Sequence, residues 1–325
     1  MSTIDMIRAA AERLDGHALR TPLLNSPFLD DIAGRRLFVK PECLQHTGSF
    51  KYRGARSAVS ALEPETRAKG VLAFSSGNHA QGVARAAAEF GVPSVIIMPN
   101  DAPQLKIDNT RALGAEVILY DRPNGASREA LGAQIRDERG MTLIKPYDDP
   151  QVIAGQGTCG LEIAEQAQAL GVTEAEVLVC CGGGGFTSGI ALALEADAPD
   201  MRVRPVEPQG FDDVARSLRS GAVETNNQMS GNICDAILTP SPGEITFPIL
   251  KRLVGPGIAV TEDEALRAMG LIFQRLKLVS EPGGAVAVAA ALFHADEIEG
   301  DAVICTISGG NVDAPMFARA LKDTK

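Results

Sequence analysis

From about residue 70 the chain alternates between short apolar runs and longer amphipathic stretches. Val71 to Phe74, Ser94 to Met98, Glu116 to Tyr120 and Thr142 to Ile144 have strand length and apolar or β-branched character. Between them, His79 to Phe90, Gln104 to Leu113 and Ser127 to Glu138 carry apolar residues at helical spacing. This βαβαβαβ order predicts a parallel sheet. A second alternating section has strands at Val177 to Cys181, Arg202 to Val206 and Val303 to Ile307 and a helix at Thr187 to Ala196, so a second sheet is expected. Met1 to Leu14 reads as an amphipathic surface helix. Pro240 to Gly243 and Pro282 to Gly284 read as linkers, and Asp148-Asp149-Pro150 as a crossing between lobes.

Composition narrows the class. The 325 residues, 45% hydrophobic and 22% charged, suit a globular chain with an ample core, either two lobes or one large α/β unit. The net charge of −10 and the absence of any Lys/Arg-rich block argue against a nucleic-acid partner and favour a small-molecule ligand. The longest apolar run, Ala285 to Phe293, is too short to span a bilayer, so no membrane association is expected. Asp5, Arg8, Glu12 and Arg13 interrupt the N-terminal apolar positions, unlike a secretory leader. Six cysteines without a CxxC pair and four scattered histidines suggest reduced thiols and a cytoplasmic protein.

Four segments could carry chemistry. In Gly48-Ser49-Phe50-Lys51-Tyr52-Arg53-Gly54, Lys51 opens a helical stretch, where the positive potential of a helix start favours its neutral, nucleophilic form. An isolated lysine is more often simply solvated. Ser75-Ser76-Gly77-Asn78-His79 gathers polar groups at a strand's carboxyl end, where ligands bind in parallel sheets, or it merely caps a helix. Gly182-Gly183-Gly184-Gly185 joins a strand to a helix and can wrap an anion with backbone amides. It is neither a Walker loop nor a G-x-G-x-x-G fingerprint. Ser308-Gly309-Gly310-Asn311, after the late strand, either closes the same pocket or is an ordinary turn.

Together these motifs resemble the pyridoxal-phosphate enzymes of fold type II, in the serine/threonine dehydratase and serine racemase group. The resemblance runs along nearly the whole chain and includes Lys40-Pro41-Glu42, Ala154-Gly155-Gln156-Gly157-Thr158 and Ser280-Glu281-Pro282. It implies an α/β fold like the tryptophan synthase β subunit, with two open, twisted, mainly parallel sheets and the active site between domains. A large cofactor-binding domain would comprise residues 1–69 and 148–325, and a small domain residues 70–147. It further implies that Lys51 bonds to the cofactor, Phe50 packs on its ring, Gly182, Gly183, Gly184 and Gly185 hold its phosphate, Asn78 meets its 3′-oxygen and Ser308 faces its ring nitrogen. Ser75, Ser76, Gly77 and His79 would bind substrate, and Ser76 could also return a proton to Cα from the face opposite Lys51. The implied assembly is a homodimer.

The same resemblance aligns Glu207, the Phe211 carbonyl and Asp213 with a divalent-cation site, and oxygen ligands suit Mg²⁺ or Ca²⁺. Arg128 matches an arginine near the distal end of acidic ligands, which would favour 3-hydroxyaspartate. Tyr147 stands where some racemases have Asn. The implied activity is dehydration of a β-hydroxy amino acid, of the L-threonine/L-serine type, to a 2-oxo acid and ammonia. Hydroxyaspartate dehydratase and racemase are alternatives on the same scaffold. An NAD-dependent oxidoreductase is the alternative from another class, since Glu207 follows the glycine loop at ribose-acid spacing. A non-catalytic effector-binding protein is a third. The chain's end soon after the late glycine turn leads us to expect no appended regulatory domain and no isoleucine feedback.

Overall fold

The computed structural model describes residues 2–322 apart from Ser76, Pro103, 122–126 and Met229. Its strands are β1 (Leu24–Asn25), β2 (Arg36–Pro41), β3 (Val71–Phe74), β4 (Ser94–Pro99), β5 (Glu116–Tyr120), β6 (Thr142–Leu143), β7 (Ala175–Cys180), β8 (Met201–Pro208), β9 (Ile258–Val260) and β10 (Ala302–Ile307). They form a six-stranded sheet ordered β1-β2-β10-β7-β8-β9 and a four-stranded sheet ordered β5-β4-β3-β6. Among the described residues, β1 is the only strand that runs antiparallel to its neighbour. This is the expected two-sheet α/β architecture.

Strand composition explains the layering. β7 and β10 are buried at every residue, as parallel strands covered by helices on both faces must be. β10 lies between β2 and β7, pairing Thr306 with Lys40 and Cys305 with both Val39 and Leu178. The carboxyl ends of these three strands therefore lie side by side. From them emerge the lysine loop, the Ser308 turn and the tetraglycine, segments more than a hundred residues apart in the chain.

The expected linker at Pro282 to Gly284 is instead the first turn of the helix Pro282–Phe293, whose residues are buried through Leu292. Proline suits the first helical position because its missing N–H would have no intrahelical acceptor there. Gly284 is required by proximity, since a Cβ on it would lie 2.3 Å from the Gly309 carbonyl oxygen. The apolar run Ala285 to Phe293 is thus a central helix packed on β7, β8 and β10. No helix among the described residues is long and apolar enough to cross a membrane.

Asp148-Asp149-Pro150 leads directly into a second long helix, Pro150–Ala169, where the Asp149 carboxylate accepts from the Gln151 and Val152 N–H groups. That helix crosses Lys51–Ser60 so closely that a Cβ on Gly155 would lie 2.4 Å from the Arg53 carbonyl oxygen. Beside the crossing, buried Arg53 pairs with Glu42 at 2.7 Å and with Glu162 at 2.6 Å. Lys40, also fully buried, reaches Glu162 at 2.6 Å. Two cations and two carboxylates balance one another and anchor the helix that begins with Lys51.

Candidate active site

Lys51 is the first residue of the helix Lys51–Ser60, and the loop before it is held from the opposite side by the late turn. Phe50 N–H donates to the Ser308 carbonyl at 3.1 Å, and Gly310 N–H donates to the Gly48 carbonyl at 2.9 Å. Two turns distant in sequence thus brace one another and fix the lysine backbone. The Lys51 amine donates to the Pro146 carbonyl at 2.8 Å and lies 5.0 Å from the Phe50 ring centroid. The Phe50 ring itself stacks on Phe186, with centroids 4.0 Å apart. Burial pulls the amine down to about 8, opposed by the nearby Glu281 carboxyl. A useful fraction is therefore neutral near pH 7, as a nucleophile or base requires.

The tetraglycine joins β7 to the helix Gly185–Asp197. Gly184 has φ of +88°, a conformation that favours glycine. Its neighbours also leave no room for side chains: a Cβ on Gly183 would lie 2.3 Å from the Tyr147 ring, and one on Gly184 would lie 2.7 Å from Leu250. Thr246 donates its hydroxyl to the Gly183 carbonyl at 2.7 Å, which holds the loop against the following segment. The first N–H groups of the helix lack intrahelical acceptors and, with the helix dipole, suit an anion. The Thr187 hydroxyl lines the cavity, is buried, and has no hydrogen-bond partner.

This cavity brings together Phe50, Lys51, Asn78, Gly182, Gly183, Gly184, Gly185 and Ser308. The Asn78 amide is locked between two partners: its nitrogen donates to Glu281 at 2.7 Å, and its oxygen accepts from Asn311 at 2.8 Å. Burial pushes Glu281 up to about 7, against the stabilising Asn78 contact. Ser75 accepts from the Gly77 N–H at 3.1 Å, forming a local turn. Ser76 lies outside the described residues. The His79 ring turns away from the cavity, with Nε2 2.8 Å from the Ile144 carbonyl. Burial lowers its pKa to about 3, so the ring is neutral with its proton on Nε2, and Nδ1 is buried without a partner.

A second cavity of about 560 Å³ shares Tyr147 and Thr239 with the first. Arg128 and Lys145 line it, together with Asp148 and Glu244. Arg128 pairs with the adjacent Glu129 at 2.7 Å on an exposed helix start, and the Asp148 carboxylate is engaged by the Ile245 N–H at 2.8 Å.

Glu207 and Asp213 lie elsewhere, at the end of β8 and the start of the helix Asp213–Ser220. Glu207 accepts from the Val214 and Ala215 N–H groups at 2.9 and 2.8 Å. Burial first, and Asp213 second, push its pKa well up. Asp213 is raised to about 6 by burial, and its Oδ2 is buried without a partner. Two buried acids with a free oxygen suit a hard cation. Among the described residues, however, no three acidic, cysteine or histidine side chains converge as ligands, so the Phe211 carbonyl would have to contribute.

Glu281, Asn311 and Thr187 were given no individual site role from sequence, although Glu281 and Asn311 lie in quoted motif segments, and Tyr147 was noted only as a departure from some racemases. Glu281 borders an apparent linker, although a lone acid between apolar runs is a usable signal. The others depend on long-range packing.

A half-buried amine of lowered basicity, facing an anion cradle with an amide and a hydroxyl on its walls, defines a site for an aldehyde cofactor with an anionic tail. The residues fit that group, including the unpartnered Thr187 hydroxyl in the cradle. The chain belongs to the family described as "Pyridoxal-phosphate dependent enzyme", which matches residues 14–310. It is 42% identical over 318 residues to an L-threo-3-hydroxyaspartate ammonia-lyase from Pseudomonas sp., covering 98% of each chain. It is 38% identical over 324 residues to a serine racemase from Arabidopsis thaliana, covering 98% of this chain and 96% of that one. The crystal structure of a threonine deaminase from T.th. superposes with a TM-score of 0.90 at 44% identity, covering 96% of this chain and 99% of that one. Membership in this family sets aside the nicotinamide reading of the glycine loop.

Proposed function

We propose that this chain is an ammonia-lyase that dehydrates a β-hydroxy amino acid, with 3-hydroxyaspartate preferred over threonine and serine. The observation that carries the reading is the half-buried Lys51 amine beside the glycine cradle, with a cavity bearing Arg128 and Lys145 next to it. The Pseudomonas relative's name supports the choice of substrate. Pyridoxal phosphate supplies an electron-accepting ring that acidifies the substrate Cα–H. Lys51 would hold the cofactor through its aldehyde carbon, and its amine would serve as the base that takes the Cα proton. Gly182 to Gly185 would hold the phosphate, Phe50 would pack on the ring, Asn78 would meet the 3′-oxygen and Ser308 would face the ring nitrogen. The Ser75 to His79 segment binds the substrate's α-carboxylate through its N–H and hydroxyl groups, and Arg128 takes the distal one. The β-hydroxyl leaves as water, and later hydrolysis releases ammonia and a 2-oxo acid.

The structural frame of the proposal is a small domain of residues 70–147 set against a large one of residues 1–69 and 148–325. A Mg²⁺ or Ca²⁺ ion bound by Glu207, the Phe211 carbonyl and Asp213 would neutralise the buried acids, and the free Asp213 oxygen supports it. A homodimer is in keeping with the exposed apolar side chains Leu44 and Val279. Six free cysteines suit a reducing, cytoplasmic setting.

The test is to incubate the cofactor-loaded protein with L-threo-3-hydroxyaspartate, L-threonine and L-serine and to measure oxo acid, ammonia and the opposite enantiomer. Oxaloacetate and ammonia are expected fastest. Formation of the enantiomer without oxo acid would overturn the lyase in favour of racemisation.

A further inference from the structure

One wall of the second cavity is residues 238–244, a stretch without helix or strand whose Thr239 also borders the cofactor cavity. Pro240 and Pro242 have no N–H, so the stretch cannot build a ladder of its own and is held by groups outside it. Its far end is pinned twice: Gly243 N–H donates to the Gly183 carbonyl at 3.2 Å, and Ile245 N–H donates to the Asp148 carboxylate at 2.8 Å. Among the described residues, its near end hangs on Asn226. The Asn226 backbone N–H donates to the Pro240 carbonyl at 2.8 Å, and the side-chain nitrogen donates to the Thr239 carbonyl at 2.9 Å. That nitrogen also donates to Asp213 Oδ1 at 2.5 Å, while the side-chain oxygen accepts from Arg216 at 2.6 Å. Both amide protons are thus used, and Arg216 fixes which end is the donor. Thr239 cannot shift without touching the site, since its methyl carbon lies 3.3 Å from where a Gly182 Cβ would be.

We propose that Asn226 is a positioning residue for substrate binding, a strut that joins the helix Asp213–Ser220 to the Thr239 peptide and so sets the wall between cofactor and amino acid. It rests on the reading above that the second cavity takes the substrate. Less binding energy is lost on a wall already held in place than on one that must be ordered when the substrate arrives. Removal of the strut therefore falls on substrate affinity. The anion cradle has its own support in the Thr246 hydroxyl, 2.7 Å from the Gly183 carbonyl, so cofactor binding does not depend on Asn226. The alternative is that Asn226 is a joint of the fold and nothing more, in which case its loss lowers stability and leaves KM alone.

The experiment compares native protein with Asn226→Leu, of similar shape, and Asn226→Ala, which leaves room for water at the freed Thr239 carbonyl. The backbone bond to Pro240 survives in both, so both are expected to fold. Each cofactor-loaded protein is assayed for oxo acid from L-threo-3-hydroxyaspartate and L-serine. Each is also titrated with L-aspartate, which has no β-hydroxyl to lose, through the change in cofactor absorbance. Every measurement is made without divalent cation and again in excess Mg²⁺, because Asp213 is also the proposed cation ligand. KM for both substrates and Kd for L-aspartate should rise about fivefold or more in both variants, with kcat and pyridoxal phosphate affinity within about twofold of native. Unchanged KM and Kd in a folded variant overturn the proposal, as does an equal loss in kcat. A rise that excess Mg²⁺ abolishes also overturns it, by assigning the effect to the cation site. If native protein binds L-aspartate but yields no oxo acid, the lyase reading fails instead, and the L-aspartate titration still decides the role of Asn226.

Discussion

The amide nitrogen of Asn78 lies 2.7 Å from Oε1 of Glu281, joining the start of the helix Asn78–Glu89 to the residue that precedes the helix Pro282–Phe293. Asn311 holds the Asn78 oxygen at 2.8 Å, so the nitrogen is the end left to donate. The burial that raises Glu281 to about 7 has a consequence for stability. Between the ordinary value of 4.5 and about 7, the unfolded chain ionises Glu281 while the folded chain keeps its proton. The folded state therefore loses stability as pH rises through that window, by on the order of 3 kcal/mol. Glu281→Gln should remove this slope from the unloaded protein's denaturation profile between pH 5 and 7. An unchanged slope would assign it to other groups.

Lys51 gives a second prediction, in kinetics. Its amine is lowered from 10.5 to about 8, and only the neutral form attacks an aldehyde. Capture of pyridoxal phosphate by unloaded protein should accelerate with pH and level off above about 8. Lys51→Ala should retain non-covalent binding through the glycine cradle but give no borohydride-fixed adduct. A rate still climbing steeply at pH 10 would mean the amine is not depressed.

The proposed distal-carboxylate contact should appear as discrimination rather than as overall rate. Arg128→Met is expected to raise KM for 3-hydroxyaspartate by about tenfold while leaving serine turnover within about twofold. Equal losses for both substrates would make Arg128 a structural residue of its helix, which its exposed pairing with Glu129 would allow.

Much of the frame could be read from local pattern. β3, β4 and β5 fall where the apolar runs predict them, because short β-branched runs between helical stretches have few other ways to be buried. The tetraglycine stood out because four successive glycines are entropically costly unless used, whereas Lys51, unremarkable as an isolated lysine, stood out through the motifs of the family resemblance. Pro282 to Gly284 misled for a physical reason: proline and glycine mark both a linker and a tightly packed helix start, and only Gly309, 25 or more residues away, distinguishes them. Glu281 and Asn311 lie in segments that stand out in the sequence, yet their contacts with Asn78 were not legible there, because a buried polar group is defined by neighbours brought in by topology. Both meet Asn78 only after β10 inserts between β2 and β7.

The ion cluster under the lysine helix predicts a strong asymmetry between single and paired substitutions. Arg53 is 1% exposed and binds Glu42 and Glu162. Arg53→Met leaves Glu42 buried with its main cation gone and should cost about 3–5 kcal/mol. Adding Glu42→Gln should recover a substantial part of that loss, because the stranded charge is removed. Additive losses in urea denaturation would show that packing of the arginine stem, not charge, holds the helix.

Two glycines near the site should fail differently when replaced by alanine. At Gly155 the added Cβ meets the Arg53 carbonyl oxygen and Ser57 Cβ, each at 2.4 Å, and backbone in a helix crossing cannot swing aside. Gly155→Ala should cost about 3 kcal/mol in stability, with any activity loss following from unfolding. At Gly183 the three atoms nearest the Cβ all belong to the Tyr147 ring, at 2.3 to 2.5 Å, and Tyr147 borders both cavities. The ring can rotate, so Gly183→Ala should fold with little loss yet bind cofactor and substrate poorly as the displaced tyrosine fills their space. Gly183→Ala with Tyr147→Ala should then regain binding relative to the single variant. If the double variant binds no better, the tyrosine is not the obstruction, and the alanine methyl itself blocks the cradle.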